Sequence, residues 1–147
     1  MSGLVVVDTN ILVRAVLSGK GKEDAIIGKI GNEDWRLVYG EEQLEELIRV
    51  LGYRRIAKRY KWDKGSVDEL VSWMIKYGRE VRAVEVDICR DKNDNYVVGL
   101  AVRAARKTGV YLVTGDKDIL DLKGKVGNVT IVTPGECLKV EVGARVM

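Results

Sequence analysis

Residues 4–10 read Leu-Val-Val-Val-Asp-Thr-Asn, a short apolar run that ends in an aspartate. Residues 110–118 repeat this arrangement, since Val-Tyr-Leu-Val is followed by Thr-Gly-Asp-Lys-Asp. Both runs are rich in β-branched residues and precede a helical pattern, so both predict buried parallel strands. In open α/β sheets, ligands bind beyond the carboxyl ends of such strands. We therefore expect Asp8 and Asp116 at one edge of the sheet, where they can converge on a cation.

The composition restricts the chemistry of which the protein is capable. The chain has 147 residues, 46% of them apolar, which suits one folded domain over residues 1–147. The absence of histidine excludes Ser-His and Cys-His pairs, imidazole bases and His-ligated zinc. The two cysteines, Cys89 and Cys137, are expected to be reduced and buried. Carboxylates are the main remaining ligands, and they suit hard cations such as Mg2+ or Mn2+.

Charge and hydropathy indicate where the protein works. No apolar run approaches the roughly 20 residues that a membrane span needs, and no basic-then-apolar leader precedes the first strand. A cytoplasmic protein with no membrane partner is therefore expected. The net charge of +3 and the 32% of charged residues are only weak signs of a polyanionic partner, because adaptation to heat also raises charge content.

Alternating strand and helix patterns predict the fold class. They favour a three-layer α/β/α fold around a central, mainly parallel sheet. The expected strands are 4–7, 35–39, 110–113 and 129–132, with a weaker pattern at 81–84. The expected helices are 10–18, 23–31, 41–52, one around 67–75, 94–107 and 117–122. The tail 138–147 suits an edge strand or a segment that docks on a partner.

The aspartates after the two strands also have a purely structural explanation. Asp8 stands where strand passes to helix, a position that favours a helix cap, although Asn10 can take that role instead. Asp118 lies two residues beyond Asp116. Either one can cap the helix that follows, or both carboxylates can approach the same cation.

Three more acids are candidates for the same site. Asp94 lies three, four and seven positions before apolar residues of its helix, so it shares their core-facing side, although a helix cap also explains it. Glu45 and Glu46 lie mid-helix, and periodicity does not choose between them. Because clustered acids repel one another, at least one carboxylate should have a raised pKa when no cation is bound.

Four segments of the chain occur in a recognisable order and spacing. They are Val5–Asn10, Leu44–Leu47, Arg90–Asn95 and Leu112–Asp118. Together they resemble the motifs of PIN-domain nucleases, the family of the VapC-type toxins. Residues 131–134, Ile-Val-Thr-Pro, are similar to the closing strand and turn of that family.

The resemblance implies a parallel sheet flanked by helices and acidic residues that bind divalent metal for cleavage of single-stranded RNA. The acids that it assigns to metal binding and catalysis are Asp8, Glu46, Asp94 and Asp116, with Asp118 as a supporting metal ligand. Its register selects Glu46 over Glu45. Asn10 and Thr114 match the polar residues that orient the site.

The resemblance also has implications for partners, and the chain departs from it at one position. Relatives often form homodimers, and a toxin of this kind has an antitoxin protein as its partner. Close relatives often carry a serine where this chain has Gly40, at the start of the helix that bears Glu46. That departure puts a helix cap in doubt and leaves the metal chemistry intact.

A basic segment is the candidate RNA-binding surface. Residues 54–64 read Arg-Arg-Ile-Ala-Lys-Arg-Tyr-Lys-Trp-Asp-Lys, with Tyr53 directly before them. Basic groups bind phosphates, and aromatic rings stack on bases. A solvated helix whose aromatic residues pack inward is the alternative. The candidate RNA-binding residues are Arg54, Arg55, Lys58, Arg59 and Lys61.

Three functions are compatible with these observations. The favoured one is a metal-dependent ribonuclease. A narrower form of this hypothesis is that the protein is the toxin of a toxin–antitoxin pair. The second is a non-catalytic module of the same fold that binds RNA or protein, because fold alone does not fix function. The third is a phosphatase with an aspartyl nucleophile, similar to the haloacid-dehalogenase-like enzymes; these typically have Asp-x-Asp, and here the third position is Asn10.

Overall fold

A five-stranded sheet forms the centre of the computed structural model, which describes residues 3–18, 20–60 and 64–140. Its strands are β1 (Gly3–Val7), β2 (Trp35–Tyr39), β3 (Gly78–Glu80), β4 (Val110–Val113) and β5 (Val129–Val132). Their order is β3-β2-β1-β4-β5, and all neighbouring strands are parallel. The chain moves outward from β1 to β3 and then crosses to β4, so the strand order reverses between β1 and β4.

Helices connect the strands and cover both faces of the sheet. They are α1 (Thr9–Ser18), α2 (Lys22–Gly31), α3 (Glu41–Leu51), α4 (Arg54–Tyr60), α5 (Lys64–Tyr77), α6 (Asn95–Ala104), α7 (Lys117–Leu120) and α8 (Pro134–Leu138), with a 3-10 turn at Lys92–Asp94. In the described ranges, no helix combines the length and the apolar character that a bilayer crossing requires.

The two faces of the sheet belong to separate hydrophobic cores. Val5 and Val7 face the core that contains residues of α1, α2, α3, α5 and α8, whereas Val6 faces the core of α6 and α7. Burial of both faces explains why the strand sequences are almost continuously apolar. The expected α/β/α architecture with a central parallel sheet is thereby confirmed. Cys89 and Cys137 are both buried and free, as expected.

The segment after α5 differs from the sequence-based expectation. The strand expected at 81–84 is wrong, because the third strand is β3 and residues 81–89 follow it without regular pairing. The amide of Val81 still donates to the carbonyl of Tyr39, at 2.9 Å, but the amide of Val84 donates to the carbonyl of Gly99 on α6, at 3.1 Å. The chain therefore leaves the sheet at this point and packs against a helix.

Two further expectations need correction at helix ends. The helix expected at 94–107 begins one residue later, after the 3-10 turn, and ends at Ala104, where residues 105–107 form a turn. The short helix α8 was not expected; Thr133 starts it with a capping box in which Glu136 is the reciprocal partner. Most of the edge strand expected at 138–147 lies outside the described residues.

Gly99 permits the close approach of residues 81–89 to α6. A Cβ atom at this position would collide with the carbonyl oxygen of Val84, which belongs to the backbone and cannot rotate away. The glycine is therefore needed for packing in the middle of α6, where its weak helix propensity would otherwise be a disadvantage.

The substitution Gly99→Ala should lower the free energy of unfolding by about 1–3 kcal/mol, because the new methyl group overpacks this contact. Gly28→Ala is the matched control, since Gly28 lies in α2 and a methyl group there would extend into open space. That change should stabilise the protein by up to about 1 kcal/mol through helix propensity. Urea unfolding measures both, and equal stability of the two variants would contradict the packing role of Gly99.

Candidate metal centre

A cavity of about 940 Å³ opens beyond the carboxyl ends of β1 and β4. Its lining includes all four acids that the family motifs select, although they are far apart in the sequence: Asp8, Glu46, Asp94 and Asp116. Asn10 lies in the same wall. Parallel strands bring Asp8 and Asp116 together, because Val7 and Val113 are register partners and each acid follows directly or shortly after its strand.

Thr114 connects the ends of these two strands. Its side chain is fully buried, and its hydroxyl donates to Oδ2 of Asp8 at 2.8 Å. The same hydroxyl oxygen accepts the backbone N–H of Asp116 at 3.0 Å. One hydroxyl therefore fixes the Asp8 carboxylate relative to the turn that carries Asp116.

Both aspartates also cap helices. Oδ1 of Asp8 accepts the N–H of Asn10 at 3.2 Å, and Oδ1 of Asp116 accepts the N–H of Asp118 at 2.8 Å. Asp8 rather than Asn10 therefore takes the cap at the start of α1. A carboxylate has about four lone-pair sites, so a single capping bond leaves capacity for a metal ion.

Asp94 differs from Asp8 and Asp116 because its side chain makes no capping bond. Its Oδ2 is buried and accepts no hydrogen bond from any residue that the structure describes. Burial raises the pKa of this carboxyl to about 6, with further contributions from Asp116, Asp91, Asp8 and Asp118. The expectation that one carboxylate of the cluster has a raised pKa is confirmed. A buried acceptor of this kind requires a partner, and a metal ion can be that partner.

The most compact acidic group of the described residues consists of aspartates from the starts of α6 and α7. Asp94, Asp116 and Asp118 each offer one oxygen, and these oxygens lie within 4.8 Å of one another. Neither Asp8 nor Glu46 belongs to a group this tight in the described part of the chain. Oxygen donors alone, one of them buried and unpartnered, fit a hard divalent cation such as Mg2+ or Mn2+ better than a soft metal.

One arginine competes with a cation for part of this group. Arg90 pairs with Oδ1 of Asp118 at 3.0 Å and with Oδ2 of Asp121 at 2.7 Å. Within residues 3–18, 20–60 and 64–140, no ion pair involves Asp8, Asp94 or Asp116. The guanidinium therefore neutralises the supporting acid and leaves the central three carboxylates free to bind a cation.

The helix α3 brings three glutamates to the cavity: Glu42, Glu45 and Glu46, of which the last two are the candidate ligands. Glu45 and Glu46 are both exposed and both line it, so the geometry does not choose between them. Gln43, on the same helix, is fully buried, and its Nε2 donates to the carbonyl of Val7 at 2.7 Å. The same amide is 3.4 Å from the hydroxyl of Thr9. Gln43 therefore attaches α3 to the residues on either side of Asp8.

Sequence reasoning did not identify Gln43, although a signal was present. Gln43, Leu47 and Leu51 are spaced by four residues and are the buried side chains of α3. A glutamine in line with two core leucines requires a buried hydrogen-bond partner. The pattern could thus have predicted a polar contact, but it could not have named Val7 as the acceptor.

Tyr96 resolves the doubt about Gly40. No side chain caps the start of α3 at Gly40, but the hydroxyl of Tyr96 accepts the N–H of Glu42 at 3.2 Å. A Cβ atom at residue 40 would collide with that hydroxyl. A tyrosine from α6 therefore does what a capping serine would do, and glycine leaves it the necessary space.

The basic segment lies next to the cavity along the chain but does not line it. Arg54, Arg55, Lys58 and Arg59 of α4 are all exposed. Tyr53 and Tyr60 are 46% and 42% exposed, so inward packing of these two aromatic rings is ruled out. The guanidinium of Arg59 lies 5.6 Å from the centre of the Tyr60 ring. Lys61 and Trp62 lie outside the described residues.

Comparison with known proteins identifies the family. The family model of the PIN domain matches residues 4–118, which is more than half of the chain. The chain belongs to the PIN-domain family. This PIN domain is similar to the solved T. brucei RRP44 PIN domain, with 13% identity and a TM-score of 0.47, over 93% of this chain and 80% of that one. The search of curated proteins gives no match. PIN domains have a nuclease fold and generally use divalent metals.

The raised pKa of Asp94 predicts a pH dependence of stability. A carboxyl whose pKa is about 6 when folded and about 3.8 when unfolded binds its proton more tightly in the folded state. Without metal, Asp94 therefore lowers the free energy of unfolding as the pH rises from about 4 to about 7. Asp94→Asn should remove this part of the decrease, and it should also reduce the rise in Tm that Mn2+ causes at pH 7.

Thermal unfolding with and without Mn2+ over this pH range checks that prediction. The control is Asp34→Asn. Asp34 is exposed and directly precedes β2, so it lies at the amino-terminal ends of the strands, away from the cavity. The control variant should follow the wild-type curve, because Asp34 is exposed and does not line the acidic cavity. Superimposable pH profiles of the wild type and Asp94→Asn would show that Asp94 is not the destabilised acid.

Proposed function

We propose that this PIN domain is a cytoplasmic, divalent-metal-dependent endoribonuclease that cleaves single-stranded RNA. The observation that carries the proposal is the buried, unpartnered Oδ2 of Asp94 among acids contributed by distant parts of the chain. Such a cluster is costly unless a cation offsets it. The family match supports the nuclease class, and the acidic cavity supports metal dependence.

Each acidic residue has a definite role in this proposal. The residues that would hold Mg2+ or Mn2+ are Asp8, Glu46, Asp94 and Asp116, with Asp118 in support. A bound ion would supply charge stabilisation at the phosphate and lower the pKa of the attacking water. Thr114 keeps the Asp8 carboxylate and the Asp116 turn in fixed positions. Asn10 is exposed in the wall of the cavity, and in this proposal its side chain helps to orient the groups of the site.

The RNA strand would bind along α4. In the part of the chain that the structure describes, the four basic residues of this helix are not paired with carboxylates, so their charges can bind phosphates. The exposed rings of Tyr53 and Tyr60 offer stacking surfaces for bases. A basic helix beside an acidic centre would hold the strand while the metal site cuts it.

The resemblance to VapC-type toxins also suggests a cellular role and protein partners. By that resemblance, the protein is the toxin of a toxin–antitoxin pair, inhibited by an antitoxin protein, and it forms a homodimer. These features stay predictions, and co-purification with the product of a neighbouring reading frame tests the first of them.

Asp94→Asn should lower Mn2+-dependent cleavage of a fluorescent single-stranded RNA by at least about 100-fold, because it removes a direct metal ligand. Glu46→Gln should have a comparable effect, whereas Glu45→Gln on the same helix should retain most of the activity. Circular dichroism verifies that all three variants fold. If Glu45→Gln is the inactive member of the pair, the family register has been applied to the wrong glutamate.

Reversing Arg55 and Arg59 to glutamate should weaken RNA binding and flatten its dependence on salt. Two lost phosphate contacts reduce the slope of log affinity against log salt by about 1.4 for a single strand. The matched control reverses Lys107 and Lys125, exposed residues that precede β4 and β5 at the opposite edge of the sheet. Equal losses in both double variants would indicate a general charge effect rather than a binding surface on α4.

A further inference from the structure

Arg49 has an unusual environment for a basic residue. It lines the acidic cavity together with seven carboxylate side chains: Asp8, Glu42, Glu45, Glu46, Asp91, Asp94 and Asp116. Lys92 is the other cation in this lining. Two glutamates lie three and four positions before Arg49 on α3, which is the spacing at which a helix usually forms an ion pair. In the described part of the chain, however, Arg49 is paired with no carboxylate.

A tyrosine holds Arg49 instead. Nη1 of Arg49 donates to the hydroxyl of Tyr53 at 2.7 Å, across one helical turn. This contact fixes a guanidinium without neutralising it. A guanidinium carries five N–H donors, so most of them remain for a ligand. Tyr53 directly precedes α4, so the residue that orients Arg49 is continuous with the basic helix.

We propose that Arg49 binds a phosphate of the RNA strand next to the one at the metal centre. This proposal rests on the proposed ribonuclease function and adds a substrate-positioning residue to it. The planar guanidinium suits bidentate binding of a phosphate, and its charge survives because no carboxylate of the described residues pairs with it. Arg49 then joins the two parts of the binding surface, so the strand passes from α4 over Arg49 to the acids.

The other side of the cavity is unsuitable for a phosphate backbone. A neighbouring cavity of about 990 Å³ shares Glu42 and Tyr96 with the acidic cavity. Its remaining acidic lining consists of Glu41, Glu80, Glu85 and Asp87, against a single arginine, Arg82. Phosphates would be repelled there. The cationic side, formed by Arg49 and α4, is therefore the favourable path for the strand.

Binding of a fluorescent single-stranded RNA 12-mer tests the proposal, with Asp94→Asn as the parent protein and EDTA present, so that no cleavage occurs. Adding Arg49→Ala should weaken binding about tenfold and reduce the salt slope by about 0.7, the value for one phosphate contact. Arg49→Lys should keep most of the slope, because the charge is retained, and lose part of the affinity. Tyr53→Phe should cause a smaller loss, since it only frees the guanidinium.

Arg36→Ala is the matched control, because Arg36 is exposed and lies near the amino-terminal end of β2, whereas the cavity lies beyond the carboxyl ends of the strands. It should bind as tightly as the parent. In the metal-loaded wild-type background, Arg49→Ala should raise KM with little change in kcat, the signature of lost ground-state binding. A purely structural role would instead lower thermal stability and leave the salt slope unchanged.

The outcomes separate the two proposals. If the parent binds RNA and Arg49→Ala binds with the same affinity and salt slope, the role of Arg49 is overturned while the ribonuclease proposal stands. Arg49→Lys as weak as Arg49→Ala in both affinity and slope would also overturn it. If the parent does not bind RNA and the wild type cleaves none with Mn2+, the proposed function itself fails, and the role of Arg49 fails with it.

Discussion

The buried hydroxyl of Thr114 holds the ends of β1 and β4 in one arrangement. It donates to Asp8 and accepts from the backbone of Asp116, and the parallel register of the two strands makes this possible. Because the strand order reverses between β1 and β4, the helices that follow them diverge and leave room for a cavity. The rest of the site is attached to this pair of strand ends: α3 through Gln43, and α6 through the tyrosine that caps α3.

Electrostatic repulsion is the cost of this arrangement. Burial of the Asp94 carboxyl raises its pKa most, and the neighbouring aspartates of the cluster raise it further. The protein relieves little of this charge by itself, because Arg90 reaches only the supporting Asp118. A divalent cation offers larger relief than any side chain present. The fold thus keeps a destabilised group where a ligand is to bind, as functional sites commonly do.

The sequence predicts those features that depend on local pattern. Apolar runs located four of the five strands, and the order of the acidic motifs identified residues that line one cavity. Val81-Arg-Ala-Val has a good strand pattern, yet residues 78–80 pair with β2 because contacts with α6 draw the later residues away. Gln43 and Tyr96 were missed for a related reason: their partners lie 36 and 54 positions away, and no local pattern encodes such a contact. A raised pKa at one member of the cluster was expected from repulsion among the acids, whereas at Asp94 burial is the larger cause and repulsion adds to it.

The contact between Gly40 and Tyr96 restricts how this family member can evolve. A serine at residue 40 would supply its own cap but would collide with the tyrosine hydroxyl, and loss of the tyrosine alone would leave the helix start without its acceptor. The two positions are therefore expected to exchange as a pair, since either change alone is expected to destabilise the start of α3. Residues 40 and 96 are in this sense epistatically coupled, because the residue tolerated at one depends on the side chain at the other.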